Sequence, residues 1–539
     1  MIVALFHAAQ SNRTAGQRSK MSSLLLLFTS LVLLQSGPVM AHLQDAPSEP
    51  GVSADEPVTD DQLSPEKASQ LAALVSSKLK SIPNPRTLKR EDLPRVFLIL
   101  DEGVSAGRQY LADYPEGKEL PQVCCDLGRL LILNVDRHLS MLNEEAKIFG
   151  AALTADQRLE ELVSYLTEVT HLAQITIAQD ISSKLRCRAQ VILADCLLKM
   201  RQPSQSADAF SEALKLDTSE IDVQELKIKR IEALESSQRY EEMLKAGMEN
   251  LANDPRTPYL PHLVYFTHKA HRHLGILEDG RQIWRKWGPV LAAGALGGEI
   301  EIPGSSEKWI VPEGKKGDFA MMSERAGFYE GFYQLALGNK KAALDALLSY
   351  NDQLYERINS GDALSMTTKT YLEFQSLPMA QRIDVLHGRK APSLDGLRWI
   401  EPPPESDQDK KVELRLFCDS SRANNRQSRF ISLLRKLEHE YSSAGLRVVW
   451  VSGVLRAERA DREAAAMTEI AIEKKLGWAY GVQAGQDPGV LERHLVNYGG
   501  TLLMAIDSEG ILRWEVIDPM YWDEGLYRAI ITRLLNSSS

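Results

Sequence analysis

Residues 412–452 read VELRLFCDSSRANNRQSRFISLLRKLEHEYSSAGLRVVWVS. The first six, VELRLF, make a short strand, and LRVVWVS at 446–452 makes a second. Between them, residues 424–443 place Phe430, Leu434, Leu437 and Tyr441 on one helical face, with Gly445 just past the end, where a helix stops. A helical stretch near 458–475 and a helix near 487–498 follow. TLLMAID at 501–507 and ILRWEV at 511–516 then flank Asp507-Ser508-Glu509-Gly510, a turn that supports an antiparallel hairpin. A last helix covers 523–535. The order β-α-β-α, hairpin, α requires a mixed sheet covered by helices on both faces.

The grammar upstream is different. From Ser64 to Leu386 nearly every window carries apolar residues three to four apart, as in Leu159, Leu162, Val163, Leu166 and Val169, so amphipathic helices dominate. Residues 389–411, RKAPSLDGLRWIEPPPESDQDKK, are Pro-rich and charged and mark the main boundary. Before the helices, residues 42–63 are acidic and Pro-rich and read as a disordered linker. Residues 1–41 read as a signal peptide: an apolar run at Leu24–Leu34, basic residues Arg13, Arg18 and Lys20 before it, and Val39-Met40-Ala41 after it. The run is too short for the roughly 20 residues of a spanning helix, although an uncleaved anchor stays open, as does a start at Met21. An exported chain in a periplasm or outside the cell follows, with no stable membrane span after cleavage. The domain reading is 1–41 signal peptide, 42–63 linker, 64–387 helical repeat domain and 388–537 α/β domain.

The 539 residues suffice for several domains, and 44% hydrophobic with 25% charged residues is the composition of an ordinary globular protein. A net charge of −10 offers no global attraction for nucleic acid. Five cysteines cannot build a disulfide framework.

Three windows carry a weak repeat: 189–217, 226–255 and 326–350. The first, with Leu193, Ala194, Leu197, Phe210 and Ala213 at packing positions, resembles a tetratricopeptide repeat; Tyr240 with Asp254-Pro255, and Gly331, Gly338-Asn339 and Ala343, extend the pattern to the others. Stacked repeats imply a surface that holds a protein partner, with an irregular helical domain as the alternative. The glycine-rich stretch 288–317 lacks a phosphate-loop pattern and reads as a surface loop.

The carboxy-terminal order, with Gly388-Arg389-Lys390-Ala391-Pro392 at its head, VVWVSG after the first helix and YGGTLLMAIDSEGILRW near the end, resembles the TlpA-type thioredoxin-like family over residues 388–537. The resemblance implies thiol-disulfide exchange by a Cys-x-x-Cys at the first helix's N-terminus and a cis-proline before the third strand. This sequence departs from that pattern at each chemical position. The motif falls on Arg422-Ala423-Asn424-Asn425 and the proline slot on Thr501. Arginine and asparagine cannot attack a disulfide, so the implied fold has lost its dithiol.

Two functional readings result. The first is a non-enzymatic exported scaffold or binding protein needing no cofactor, in which the repeats hold a protein partner. Arg422, Arg426 and Arg429, on one helical face at i, i+4 and i+7, with Thr501 beside them, offer a contact for an acidic peptide or small anion. The second is a monothiol oxidoreductase acting through Cys418, since Cys418-Asp419-Ser420-Ser421 is formally Cys-x-x-Ser; a buried structural role is the competing expectation for that residue. Cys187 and Cys196 are out of phase on one helix and read as core, and Cys124-Cys125 as an unbridged pair. His262, His268, His271 and His273 lack acidic or thiol residues at ligand spacing, so no metal site is expected and they read as a surface patch.

Overall fold

The structure, a computed structural model, describes residues 64–537 apart from 84–91, 150–153, 298, 305–307, 362–368, 370–371, 404–409, 421–427, 455–456, 485–489, 495–500 and 520–522. The signal peptide and acidic linker read from the sequence lie outside the described residues. These residues fall into two compact units that divide between Arg201 and Gln202.

The first unit is helical: α1 (Pro65–Ser81), α2 (Leu93–Asp113), α3 (Leu120–Phe149), α4 (Thr154–Ala178) and α5 (Ser183–Lys199). Two helix starts are capped by serine. Ser64 accepts from the Lys67 amide at 3.3 Å, and Ser182 accepts from the Leu185 amide at 3.3 Å, so each side chain satisfies a donor the first turn leaves free. The core runs along α3, where Leu127, Leu130, Leu131 and Val135 meet Val75, Leu100, Tyr110, Val169 and Leu172. All five cysteines of the chain are free thiols and buried.

The second unit begins with α6 (Pro203–Ala213), α7 (Val223–Ser236), α8 (Tyr240–Asn253), α9 (Leu260–Leu274), α10 (Leu277–Leu296), α11 (Lys316–Ala336), α12 (Lys340–Asn359) and α13 (Leu377–Val385). Three helix pairs share one turn. Gln238, Gly275 and Gly338 take φ of 61°, 74° and 89°. The residue after each, Arg239, Ile276 or Asn339, sits near φ −85 to −88° and ψ 66 to 71°. Its amide donates five residues back, to Leu234 at 2.9 Å, His271 at 2.9 Å and Gln334 at 2.8 Å. This is the 6→1 bond of a Schellman cap, which satisfies an orphan carbonyl and reverses the chain. Arg201, at φ 62°, precedes Gln238 by 37 residues, the same interval that separates Gln238 from Gly275.

These turns revise the three sequence windows. The division between units falls inside 189–217, so α5 and α6 belong to different units. Windows 226–255 and 326–350 correspond to α7–α8 and α11–α12, and a further hairpin, α9–α10, lies between them. The stretch 288–317 is not a surface loop: α10 continues through Pro289 to Leu296, and β1 (Glu299–Glu301) pairs antiparallel with β2 (Lys308–Ile310). Two of its glycines, within α10, serve close packing. A Cβ at Gly294 would press into the Phe319 ring, 2.9 Å from its Cε1, and lie 3.0 Å from Val311, and one at Gly288 would lie 3.3 Å from Ala326.

The histidines are also reassigned, because His268, His271 and His273 are buried rather than exposed. His268 lies among Trp284, Tyr329 and Tyr333 and bonds the Tyr333 hydroxyl at 2.8 Å. Complete burial, with Arg272 nearby, holds its pKa well below the usual histidine value.

The α/β part contains β3 (Arg398–Glu401), β4 (Val412–Phe417), α14 (Ser428–Tyr441), β5 (Leu446–Val454), α15 (Ala460–Lys474), β6 (Ala479–Ala484), α16 (Val490–Arg493), β7 (Leu502–Ile506), β8 (Leu512–Ile517) and α17 (Glu524–Ser537). The six strands form one sheet in the order β3-β6-β5-β4-β7-β8. Strands β4, β5 and β6 run parallel, with Leu414 opposite Val448 and Trp450 opposite Tyr480, whereas β7, β8 and β3 run antiparallel to their neighbours. The mixed sheet with its intervening helices is the thioredoxin-like fold, so the chain is multidomain, helical first and α/β after. Two strands exceed the sequence reading. β3 lies inside the Pro-rich stretch 389–411, and β6 follows α15. Conversely, the helix expected over 487–498 is described only as Val490–Arg493.

Residues 388–537 share their compact unit with helices α6 to α13. Arg382 of α13 donates to both Glu515 carboxylate oxygens of β8 at 2.7 Å and to the His494 carbonyl at 2.6 Å. Arg272 of α9 pairs with Asp523 just before α17, Nε to Oδ1 at 2.8 Å, with His273 Nδ1 3.3 Å from the same oxygen. Beside that pair, Gly275 and Gly525 bring the backbones of α9 and α17 together: a Cβ at Gly525 would stand 2.7 Å from the Gly275 nitrogen.

Candidate functional site

The candidate residues read from the sequence begin at the carboxyl end of β4, ahead of α14. Cys418 is the first residue past β4. Its amide donates to Val451 O at 3.0 Å and its carbonyl accepts from Trp450 Nε1 at 2.8 Å, so both backbone groups bind the neighbouring strand. The side chain is 2% exposed, with Sγ 3.4 Å from its own neighbour's carbonyl, Asp419 O. Thr501, in the slot before β7, is likewise buried, and its hydroxyl stands 4.0 Å from Cys418 Sγ. The structure therefore brings two sequence-selected residues together across the β4–β7 pair.

Glu463 of α15 fixes the next step of the chain. Its carboxylate accepts from the Ser420 amide at 2.6 Å, the Ser420 hydroxyl at 2.7 Å and the Ser452 hydroxyl at 2.6 Å. One carboxylate thus ties the ends of β4 and β5 to α15. Of the three arginines, Arg422 and Arg426 lie outside the described residues, and Arg429 is exposed in the first turn of α14.

Beneath this edge lies a buried polar group. Glu413 is 1% exposed inside β4 and pairs with Lys410 at 2.8 Å, with Arg415 and with Arg447. Burial raises its pKa, but Arg415 and Lys410 outweigh burial and hold it below the usual carboxylate range. Arg415 also donates to Pro392 O at 2.6 Å and to His494 Nε2 at 2.9 Å. His494 is fully buried against the Phe417 ring, with Nδ1 2.6 Å from Val490 O. Burial first, then Arg415, Arg382 and Arg493, push its pKa down to about 3, against the pull of the Val490 carbonyl. On the next strand pair Glu515, pulled up by burial, is brought down to about 2 by Arg382 and His387.

Thiol-disulfide exchange needs a thiolate that an incoming disulfide can reach. The sulfur of Cys418 is enclosed, with the residue 2% exposed. Among the described residues no group of three or more His, Cys, Asp or Glu could hold a metal ion, and no helix is long and apolar enough to cross a membrane.

Sequence reasoning missed Glu463, Glu413, Arg415 and His494. A signal for two of them was present: Glu413 and Arg415 occupy alternate positions in an otherwise apolar strand, and two charges on one strand face need partners there. Glu463 and His494 carry no local signature, because the serines that bond Glu463 and the Arg415 that bonds His494 Nε2 come from other elements.

No family model and no curated protein matches the chain. Among solved structures it is similar to the thioredoxin domain of a thiol-disulfide oxidoreductase from Bacteroides vulgatus, with 19% identity, 28% of this chain and 99% of that chain covered, and a TM-score of 0.21. It is also similar to a protein from Chlorobium tepidum described as a thiol:disulfide interchange protein DsbE, with 22% identity, 26% and 99% covered, and a TM-score of 0.19. The fold assignment rests on the strand order and directions given above.

Proposed function

We propose that the chain is an exported scaffold or binding protein in which tetratricopeptide-like helical hairpins and a redox-inactive thioredoxin-like domain each contribute a protein-docking surface. The observation that carries this reading is the chemistry at the end of β4: arginine and asparagine at the dithiol positions, and a single cysteine in the domain that is 2% exposed. The repeated Schellman turns support the first surface, since hairpins stacked through a common turn present an extended face. Arg422, Arg426 and Arg429 are proposed to supply the second, as a contact for an acidic peptide or anion.

Insulin reduction and mixed-disulfide trapping on the mature chain, with Cys418→Ala as control, test the redox half. Silence in both proteins is the expected result. Activity that disappears in Cys418→Ala would make this a monothiol oxidoreductase instead. The binding half is tested by retention of an envelope protein on the immobilised mature chain, weakened by Arg429→Glu. Retention of nothing, or of a protein indifferent to every surface substitution, counts against it.

A further inference from the structure

The polar group around His494 is not used by the reading above, and its geometry defines a device. We infer that His494 is an acid-sensitive latch: in its neutral form it fastens α16 and the 392–395 segment to β4, and protonation at Nε2 releases them. Both ring nitrogens are committed. Nδ1 lies 2.6 Å from Val490 O, a carbonyl that can only accept, so the proton sits on Nδ1. Nε2 is then the acceptor for Arg415 Nη1, which can only donate, at 2.9 Å. Only the neutral ring with this tautomer satisfies both contacts.

The surroundings oppose an imidazolium on each side. Strand β4 presents Arg415 and the Phe417 ring; α13 presents Arg382, bonded to the His494 carbonyl; α16 itself carries Arg493. The two carboxylates in reach are engaged, Glu413 by Arg415, Lys410 and Arg447, and Glu515 by Arg382 with His387 beside it. A proton arriving on Nε2 removes the acceptor from Arg415 and sets two cations in contact within a buried site. What the latch holds is specific. Leu491 N donates to Gln483 Oε1 at 2.7 Å, Arg493 bonds the Asp395 carbonyl at 2.5 Å, and Arg415 holds Pro392 O. Helix α16 also precedes Thr501 and β7, so release reaches the strand end beside Cys418.

The expected size follows from linkage. A ring that titrates at the ordinary value of about 6.5 when released, and near 3 when fastened, favours the released state by on the order of 20-fold more at pH 5 than at pH 7. Hydrogen exchange on the full mature chain, corrected for the intrinsic pH dependence of exchange, should show residues 490–494 and 501–506 losing about that factor of protection while 448–451 in β5 keep theirs. His494→Gln, which retains an acceptor for Arg415 and takes up no proton, should lose none. Unchanged protection in the native chain, equal loss in β5, or the same loss in His494→Gln would each overturn the latch. If the variant does not fold, ring NMR of the native chain decides: a ring still neutral at pH 5, where protection at 490–494 has already fallen, supports the latch, and a ring that titrates near 6.5 in the native chain refutes it.

Discussion

Replacing Arg382 by methionine removes the cation that holds Glu515, while the methionine fills a similar volume. Glu515 is fully buried in β8, and of the groups that neutralise it only His387, 3.4 Å away, would remain. An uncompensated buried carboxylate costs about 3 to 5 kcal/mol, a large part of the 5 to 15 kcal/mol that typically stabilises a folded unit. The complementary single change, Glu515→Leu, strands the Arg382 guanidinium at a comparable cost. The double variant, Arg382→Met with Glu515→Leu, leaves no buried charge, and its residual loss is the His494 carbonyl without its donor, about 1 to 3 kcal/mol. Urea denaturation followed by tryptophan fluorescence measures all four corners of the cycle, and buried Trp514 adjoins the site in β8. The reasoning predicts two strongly destabilised single variants and a double variant closer to the native chain than either. A single variant losing under about 1 kcal/mol, or a double as unstable as the worse single, would refute it.

Other perturbations probe the same framework. Gly525→Ala forces a methyl against the His273 and Gly275 backbones and should cost about 1 to 3 kcal/mol or more by thermal denaturation, since neither chain can step aside. Gln238→Gly should stabilise the unit by about 0.5 to 1 kcal/mol, because a left-handed non-glycine residue costs about 1 to 2 kcal/mol and glycine's chain entropy returns only part of that; a destabilised variant would contradict the turn assignment. Acid should weaken the α/β part in two stages. His494, depressed in the fold, contributes stability that is complete above about pH 6.5 and is lost as pH falls toward 3, whereas Glu515 contributes stability present above about 4.5 and lost as pH falls toward 2. Stability that rises on acidification from pH 7 to 5 would show the sign to be wrong. Ser452→Ala with Ser420→Ala strips both hydroxyl donors from Glu463, leaving it only the Ser420 amide, and should loosen the end of β4, read as faster exchange at Cys418 and Val451.

The α/β order was legible because β4, β5 and the hairpin at Asp507 to Gly510 carry unambiguous signals. Asp507 accepts from the Glu509 and Ile511 amides, and Gly510 supplies the positive φ of 77°. β6 was missed because AYGVQA has neither alternation nor a bounding turn of its own; its place is set by pairing with β5 and β3. The turn shared by the helix pairs was only half visible for a related reason. Gly275 and Gly338 announce their turns, but Arg201 and Gln238 adopt the same left-handed conformation with ordinary side chains, so the 37-residue interval is written in backbone angles rather than in residue types. The histidines of α9 misled because charge and polarity on a helix suggest solvent, whereas their partners, Tyr333 and Asp523, come from distant sequence. The contact between Thr501 and Cys418 had no signal in the sequence, which grouped Thr501 with Arg422, Arg426 and Arg429 instead.

The pairing of Arg272 with Asp523 also has a bearing on how the protein is made. The two residues are separated by 251 positions, so at ribosomal rates of about 5 to 20 residues per second the guanidinium waits tens of seconds for its counter-ion. During that interval α9 has a charge destined for burial and no means of neutralising it, and Arg382 waits similarly for Glu515. The second unit therefore commits only when β8 and the Asp523 turn before α17 have been made. For the export proposed above, such late commitment keeps the chain pliable through translation, the condition for crossing a membrane in extended form.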